Sequence, residues 1–460
     1  MSVLPPALIS SLHGIKGFDK AAFEQVHAAG EQVTSVRLNP LKLKDGAALP
    51  LLHDAQPVPW SAYGYYLPQR PSFTFDPLFH AGCYYVQEAS SMFLEQALLQ
   101  TTDLSKPLRV LDLSAAPGGK STHIQSLLSA DSLLVSNEVI RSRAAILKDN
   151  MIKWGGMNVA VTSNDPNDFA KLENYFDVIV ADAPCSGSGL FRKDPLAIQE
   201  WSEDNVTLCA RRQQRILAGA WPALKKNGVL IYSTCSYSQQ EDEEIAAWMQ
   251  QEMGAEALTL TIPEHWGITA TGNGYRFWPY RLKGEGFFIA CFRKKDGAEA
   301  GAGKIKKAPL LLSAAERQLL DKWIHKEDMR LIRHEQTVYA WPEPLVNDLS
   351  WLLQQLHVLY SGVMLGELMR DKLVPGHALA MSRSLLNESL PAMELNRDDA
   401  IRYLQRKDIS AIPGHKGWQL AAYGGHCLGW INALPNRINN YYPKSLRILK
   451  EEENPAGSFE

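Results

Sequence analysis

Two cysteines sit where the chain leaves an apolar run. One lies in Asp182-Ala183-Pro184-Cys185-Ser186-Gly187, the other in Ser233-Thr234-Cys235-Ser236. A buried cysteine is ordinarily an inert small hydrophobe. That reading suits Cys209 and Cys291, and Cys83 and Cys427 offer no better one. Cys185 and Cys235 differ, because each enters a turn among small or polar residues. A thiol becomes a strong nucleophile when its pKa falls below roughly 8.5. Upstream stands a turn, Asp112-Leu113-Ser114-Ala115-Ala116-Pro117-Gly118-Gly119-Lys120-Ser121. Its glycine pair lets backbone approach a ligand closely and opens a helix N-terminus. Glu138 follows at the distance expected of an acid that takes ribose hydroxyls, since a carboxylate accepts two hydrogen bonds from a vicinal diol. Asp165 ends the next strand, although Asn164-Asp165-Pro166 is also a good turn sequence. Such a set suits chemistry in which a thiol adds to the substrate while a nucleotide-type cofactor delivers a group.

The elements that must position these residues read as alternating strands and helices. Apolar runs at 108–113, 132–136, 159–161, 176–181, 228–233 and 286–292 predict buried strands. Between them, helices are expected from near Lys120, over 140–153, over 199–224 and over 241–251. This pattern predicts an α/β domain with a mostly parallel sheet, in which ligands collect at the carboxyl ends of strands. Asp112, Glu138, Asp165, Asp182 and Cys235 all fall at such ends. Residues 1–100 form an expected N-terminal domain, 101–295 the α/β domain, 296–308 a Gly-rich linker and 309–460 a β-rich C-terminal region. In that last region a helical stretch precedes expected strands at 361–366, 377–382, 417–423 and 426–432.

Composition narrows the class. The chain has 460 residues, 45% hydrophobic and 21% charged, with a formal net charge of -3. That is a globular profile, too long for one ordinary domain. No apolar stretch reaches the length of a membrane span, and Met1-Ser2-Val3-Leu4-Pro5 does not read as a signal peptide. None of the six cysteines forms a C-x-x-C pair, so neither zinc nor a disulfide framework is expected. Free thiols in a reducing cytoplasm are the simplest reading. Gly119-Lys120-Ser121 also ends like a P-loop, but the required first glycine is Ser114. A P-loop nucleotide hydrolase would moreover leave Glu138 and both cysteine motifs unused.

Several strings together resemble the Nop/Sun family of RNA 5-methylcytosine methyltransferases, and within it the bacterial enzymes of RsmF type that act on 16S rRNA. They are Arg37-Leu38-Asn39-Pro40, Tyr85-Val86-Gln87-Glu88-Ala89-Ser90-Ser91, the Ala115–Ser121 turn, Asn137-Glu138, Asp182–Gly187 and Tyr232-Ser233-Thr234-Cys235. DNA 5-methylcytosine enzymes use a single Pro-Cys nucleophile; a second cysteine after Ser-Thr marks the RNA family. The resemblance is strong over about residues 30 to 293 and loose in the C-terminal region.

The resemblance implies a Rossmann-like class I methyltransferase with a seven-stranded sheet, an N-terminal accessory RNA-binding domain and a C-terminal PUA-like RNA-binding region. It implies S-adenosylmethionine as cofactor and no metal. By it Cys235 is the nucleophile, Cys185 assists proton removal and enzyme release, Asp182 holds the polar edge of cytosine and Lys120 contacts the base. Ala115, Ala116, Pro117, Gly118, Gly119, Lys120, Ser121, Glu138, Asp165 and Asp182 line the cofactor, with Arg143 bracing that side. The expected partner is RNA, 16S rRNA or the 30S subunit, with no DNA and no membrane, and the expected state is a monomer. A tRNA enzyme and a non-catalytic ribosome-assembly factor on the same fold are the alternatives. A dead enzyme need not keep both cysteines. RNA contacts are expected from Arg141, Arg143, Lys148 and Lys153, from Arg192-Lys193, and from Arg437 to Lys444.

Overall fold

The computed structural model describes residues 4–43, 49–298, 305, 309–325, 327–409 and 416–451. The stretch read as a linker, 296–308, lies mostly outside the described residues. The central sheet collects β1 (Arg109–Asp112), β2 (Leu133–Asn137), β3 (Val159–Thr162), β4 (Phe176–Asp182) and β5 (Leu224–Thr234). It continues with β6 (Glu256–Leu258), β7 (Thr269–Thr271), β8 (Gly274–Phe277), β9 (Phe287–Arg293) and β10 (Val358–Ser361). Strand order is β7-β8-β9-β5-β4-β1-β2-β3-β10, with β6 beside β9. β1 to β5 run parallel and the others antiparallel. The six strands read from the sequence are β1–β5 and β9; β6, β7, β8 and β10 bring the sheet to ten, three more than the seven the resemblance implied.

Side chains of a strand alternate between faces, and here each face has its own helices. Val178 and Val180 pack with Ile124 of α1 (Gly119–Leu127) and with Leu147 and Met151 of α2 (Arg141–Trp154). Ile179 and Ala181 pack with Ile216 and Leu217 of α3 (Glu203–Ala220) and with Ile245 and Met249 of α4 (Glu243–Gln251). Burying each Val or Ile stabilises by about 1.5–3 kcal/mol, which is why β4 is apolar on both faces. The helix expected over 199–224 is interrupted. Pro195–Glu200 is a separate short helix, and Ser202 then caps α3 by accepting from the Asn205 N–H at 3.1 Å.

The N-terminal region supplies a four-stranded antiparallel sheet from Thr34–Leu38, Gln56–Pro57, Gly64–Leu67 and Tyr84–Val86. Arg37 crosses from it into the central α/β core. Its guanidinium donates to Gln87 Oε1 at 2.8 Å, to Thr122 Oγ1 at 2.6 Å and to the Gly119 carbonyl at 3.4 Å, over the Trp154 ring. Burial lowers the Arg37 pKa to about 9. The cation is therefore costly where it sits, and its hydrogen bonds tie the N-terminal sheet to the first turn of α1.

The C-terminal region joins the same sheet. β10 pairs with the outer edge of β3, and α5 (Val346–Gln355) buries Leu349 and Leu352 against Phe169 and Tyr175. Asp348 on α5 accepts from Arg109 Nε and from the Tyr175 hydroxyl, both at 2.6 Å. Arg109 is 38% exposed, so water screens part of this contact. Asp348→Ala is expected to lower stability by about 1–2 kcal/mol, read as a lower urea midpoint with an unchanged slope. The segment 377–382, expected as a strand, holds the helix His377–Met381 instead. Its run Ala378-Leu379-Ala380-Met381 is wholly buried, and a short helix enclosed on every side shows no amphipathic period. Two strands, Met329–His334 and Thr337–Pro342, lie where a helical stretch was expected.

Candidate active site

Register sets the site. β4 and β5 align Asp182 with Ser233, whose hydroxyl donates to Asp182 Oδ1 at 2.8 Å. The two loops leave the sheet side by side and bring Cys185 Sγ to 3.1 Å from Cys235 Sγ. Both thiols are free and partly exposed. The Cys185 thiol is pushed well above its ordinary range, first by its hydrogen bond to Cys235 and then by burial. Two adjacent sulfurs cannot both ionise. Gly189 makes the approach possible: its N–H donates to the Cys235 carbonyl at 2.8 Å, and a Cβ there would lie 2.5 Å from the Gly286 oxygen.

Lys120 and Asp182 form the charged centre, with Nζ to Oδ2 at 2.8 Å. Burial opposes the ammonium, but Asp182, joined by Asp112 and Cys235, holds the Lys120 pKa above its usual value. Asp112, at the end of β1, is fully buried. Its Oδ2 accepts from Ser121 Oγ at 2.6 Å, while Oδ1 has no partner. Burial raises its pKa to about 7, helped by Asp182 and Glu138 and opposed by Ser121 and Lys120. A carboxylate whose folded pKa is raised binds more protons in the native state than in the unfolded one. Stability is then lost as pH rises from about 4 toward about 7. Asp112→Asn is expected to flatten that loss, read by comparing urea midpoints at pH 5 and pH 8 in the cofactor-free protein. An equal pH dependence in both proteins would remove Asp112 as its source.

The turn Ala115–Ser121 borders a cavity of about 150 Å³ that Ala115, Ala116, Pro117, Gly119, Lys120 and Asp182 help line, with Tyr85, Gln87 and Glu88 from the N-terminal region opposite. Gly118 caps α1 at φ 118°, a conformation L side chains rarely adopt. Arg143 donates to the Ala116 carbonyl at 2.9 Å and lies 3.4 Å from Glu138 Oε2. Glu138 is buried and accepts from the Ile140 N–H at 2.9 Å. Asp165 caps the following turn through Asn167 N–H at 3.0 Å and pairs with Arg215 at 3.2 Å; like Glu138 and Arg143, it is not among the residues lining that cavity. S-adenosylmethionine carries an ammonium and a sulfonium. The partnerless Asp112 Oδ1 and the buried Glu138 suit such a cation, and the helix N-terminus at Gly118-Gly119 suits the carboxylate the same molecule carries.

The roles of some residues escaped the sequence. Asn137 holds three strand ends together, donating to the carbonyls of Leu113 at 3.2 Å and Asn164 at 3.0 Å and accepting from the Asn164 N–H at 3.0 Å. Glu241 and Asp242 were expected to begin the helix over 241–251, yet both are fully buried ahead of α4. Among the basic residues expected on RNA, Arg192 is buried, with its guanidinium on the Glu31 carbonyl at 2.7 Å and beside Glu285. Lys153 lies over the Phe79 ring, its pKa lowered to about 8 by burial. Arg141, Lys193, Arg437 and Lys444 are exposed.

Comparison with known proteins covers nearly the whole chain. Residues 4–89 match the N-terminal domain of 16S rRNA methyltransferase RsmF, and residues 99–293 match 16S rRNA methyltransferase RsmB/F. Residues 315–382 match the RsmF rRNA methyltransferase first C-terminal domain, and 390–448 the methyltransferase RsmF PUA domain. The ribosomal RNA small subunit methyltransferase F of Psychromonas ingrahamii is 31% identical over 411 residues, 85% of each chain. That of Shewanella sediminis is 30% identical over 438 residues, 90% of each. A solved methyltransferase homolog from Pyrococcus horikoshii is 27% identical with a TM-score of 0.51, covering 63% of this chain and all of its own. NSun6 from the same organism, solved with SFG, shares the fold at 19% identity and a TM-score of 0.53, covering 64% of this chain and all of its own. The central sheet is thus a Rossmann-like methyltransferase fold that uses S-adenosylmethionine. With matches running in order from the N-terminal sheet to the PUA region, the chain belongs to the RsmB/F family of 16S rRNA methyltransferases.

Proposed function

We propose that the protein methylates carbon 5 of a cytosine in 16S rRNA, with Cys235 as nucleophile and Cys185 as the base that completes the reaction. The observation that carries this reading is the pair of thiols 3.1 Å apart beside Asp182. Carbon 5 of cytosine is a poor nucleophile. Addition of the Cys235 thiolate at carbon 6 breaks the aromatic ring and makes carbon 5 enamine-like. S-adenosylmethionine supplies the electrophilic methyl group. Asp182, held by Ser233 and Lys120, faces the polar edge of the base, where charge develops on addition.

The thiol pair supports a change of role for Cys185. Its hydrogen bond to Cys235 is the first reason its pKa stands high. Once Cys235 is bonded to carbon 6, that reason is gone, and Cys185 ionises more readily than in the resting enzyme, with burial still opposing it. Its thiolate can then take the proton from carbon 5, and the electrons left behind expel Cys235. The target base must come from a loop or leave its stack for this to happen. Arg141, Lys193, Arg437 and Lys444 are exposed cations suited to phosphate. Asp112, Glu138, Arg143 and the Ala115–Ser121 turn hold the cofactor. We place the enzyme in the cytoplasm as a monomer acting on the small subunit or its RNA.

The test is transfer of tritiated methyl from S-adenosylmethionine to purified 30S subunits, naked 16S rRNA and bulk tRNA, followed by nucleoside analysis. Label in 5-methylcytidine of 16S rRNA, absent with Cys235→Ala, is the expected result. Label only in tRNA, or in a base other than cytosine, would replace this reading.

A further inference from the structure

We infer that Glu241 is a positioning residue that holds the two cysteine loops in register, so that one buried carboxylate sets the distance between the thiols. Its carboxylate joins the residue after each cysteine. Oε1 accepts from the Ser186 N–H at 2.7 Å. Oε2 accepts from Ser186 Oγ at 2.5 Å and from Ser236 Oγ at 2.7 Å. A fourth donor, Gln213 Nε2, lies 3.3 Å from Oε1 and also donates to the Pro184 carbonyl at 3.0 Å. The main chain of Glu241 is fixed too, since the Tyr232 hydroxyl donates to its carbonyl at 2.5 Å.

The surroundings make this arrangement hard to explain as ordinary folding. Glu241 is fully buried, and among the described residues no cation pairs with it. Its neighbour Asp242 takes the Arg276 guanidinium at 3.1 Å and the Thr234 hydroxyl at 2.6 Å. Burial raises the Glu241 pKa, against the pull of the Ser186 and Ser236 hydroxyls. An unpaired buried carboxylate is destabilising unless its lone pairs are well used. Here they are used on two loops, beyond the point where Ser233 and Asp182 join the strand ends. A carboxylate has acceptor sites on both oxygens, so a single side chain can take one hydroxyl from each loop. Ser186 lies one residue after Cys185 and Ser236 one residue after Cys235. A shift in either serine therefore moves a sulfur.

This inference rests on the proposed roles of Cys185 and Cys235, but it is tested on geometry independently of methyl transfer. Phenylarsine oxide, a trivalent arsenical, binds tightly only where two thiols are held together. The full-length protein is titrated with it, with Cys185→Ala as the single-thiol control, and S-adenosylmethionine dissociation constants confirm folding. Glu241→Ala is expected to weaken arsenical binding by at least about 30-fold and to lower kcat by about 100-fold, as a misplacement near 1 Å would. KM for RNA and cofactor affinity should stay within about threefold, because the cofactor groups lie on β1, β2 and α2. Glu241→Gln keeps the shape and most of the hydrogen bonds, and should restore arsenical binding and much of kcat. Should Glu241→Ala fail to fold, the double variant Ser186→Ala/Ser236→Ala carries the test, with the same direction expected. Arsenical affinity and kcat equal to wild type in a folded Glu241→Ala protein, or in that double variant, would overturn the inference. Weakened arsenical binding in a protein whose wild type transfers no methyl to cytosine would instead overturn the proposed function and leave the positioning role standing.

Discussion

Cys185→Ala is expected to stop the enzyme after addition and to accumulate a covalent protein–RNA adduct. The variant keeps Cys235, so carbon 6 can still be attacked and carbon 5 can still receive its methyl group. What it lacks is the thiolate beside the adduct, at 3.1 Å from the bonded sulfur in the resting enzyme. Loss of a positioned base slows a proton transfer by about 10²–10⁴-fold. The adduct should migrate as a slow band on a denaturing gel and carry label from S-adenosylmethionine. Cys235→Ala should show no such band, and its turnover should fall by at least about 10⁴-fold, as removal of a nucleophile does elsewhere. The double variant should resemble Cys235→Ala. An adduct formed by Cys235→Ala and not by Cys185→Ala would reverse the assignment of the two sulfurs.

The second large effect is expected at Asp182. Its carboxylate joins Ser233, on β5 two residues before Cys235, to Lys120 at the start of α1. Asp182→Asn keeps the shape and removes the charge. Lys120, only 12% exposed, then lacks its counter-ion, and the polar edge of the base lacks a partner as charge develops. The expected cost is about 10²–10³-fold in kcat, comparable to removing one preorganised group from a developing charge. KM for RNA should change far less. A kcat within tenfold of wild type would show that Asp182 does not face the reacting base.

The parts of the fold that were legible are those whose residues carry the pattern locally. Phe176-Asp177-Val178-Ile179-Val180-Ala181 is apolar on both faces because helices cover both faces, and the run announced a parallel strand. The thiols, Asp182, Lys120 and Glu138 lie at strand ends, where turn chemistry marked them. What stayed hidden depends on distant partners. Val358-Leu359-Tyr360-Ser361 is too short to declare a strand, and it becomes one because the edge of β3 offers it a ladder. Arg192 and Lys153 looked like free cations, since sequence does not say which charged side chain a neighbouring domain will cover. Glu241 stands in Glu241-Asp242-Glu243-Glu244, a composition that normally belongs to water. Its burial follows from the hydroxyls of Ser186 and Ser236, which reach it only after the sheet has formed.

The addition of β10 to β3 bears on how the protein is made. Asn164 and His357, whose hydrogen bonds anchor that pairing, stand 193 residues apart. At synthesis rates of about 5–20 residues per second, roughly 10–40 s separate the emergence of the two. During that interval the outer edge of β3 has no partner strand, and an open edge invites pairing with other chains. The nascent protein therefore passes through a period in which its catalytic half has been synthesised and its sheet remains open. Slower elongation after residue 162 would prolong that exposure, and a chaperone holding the edge would shorten its consequences.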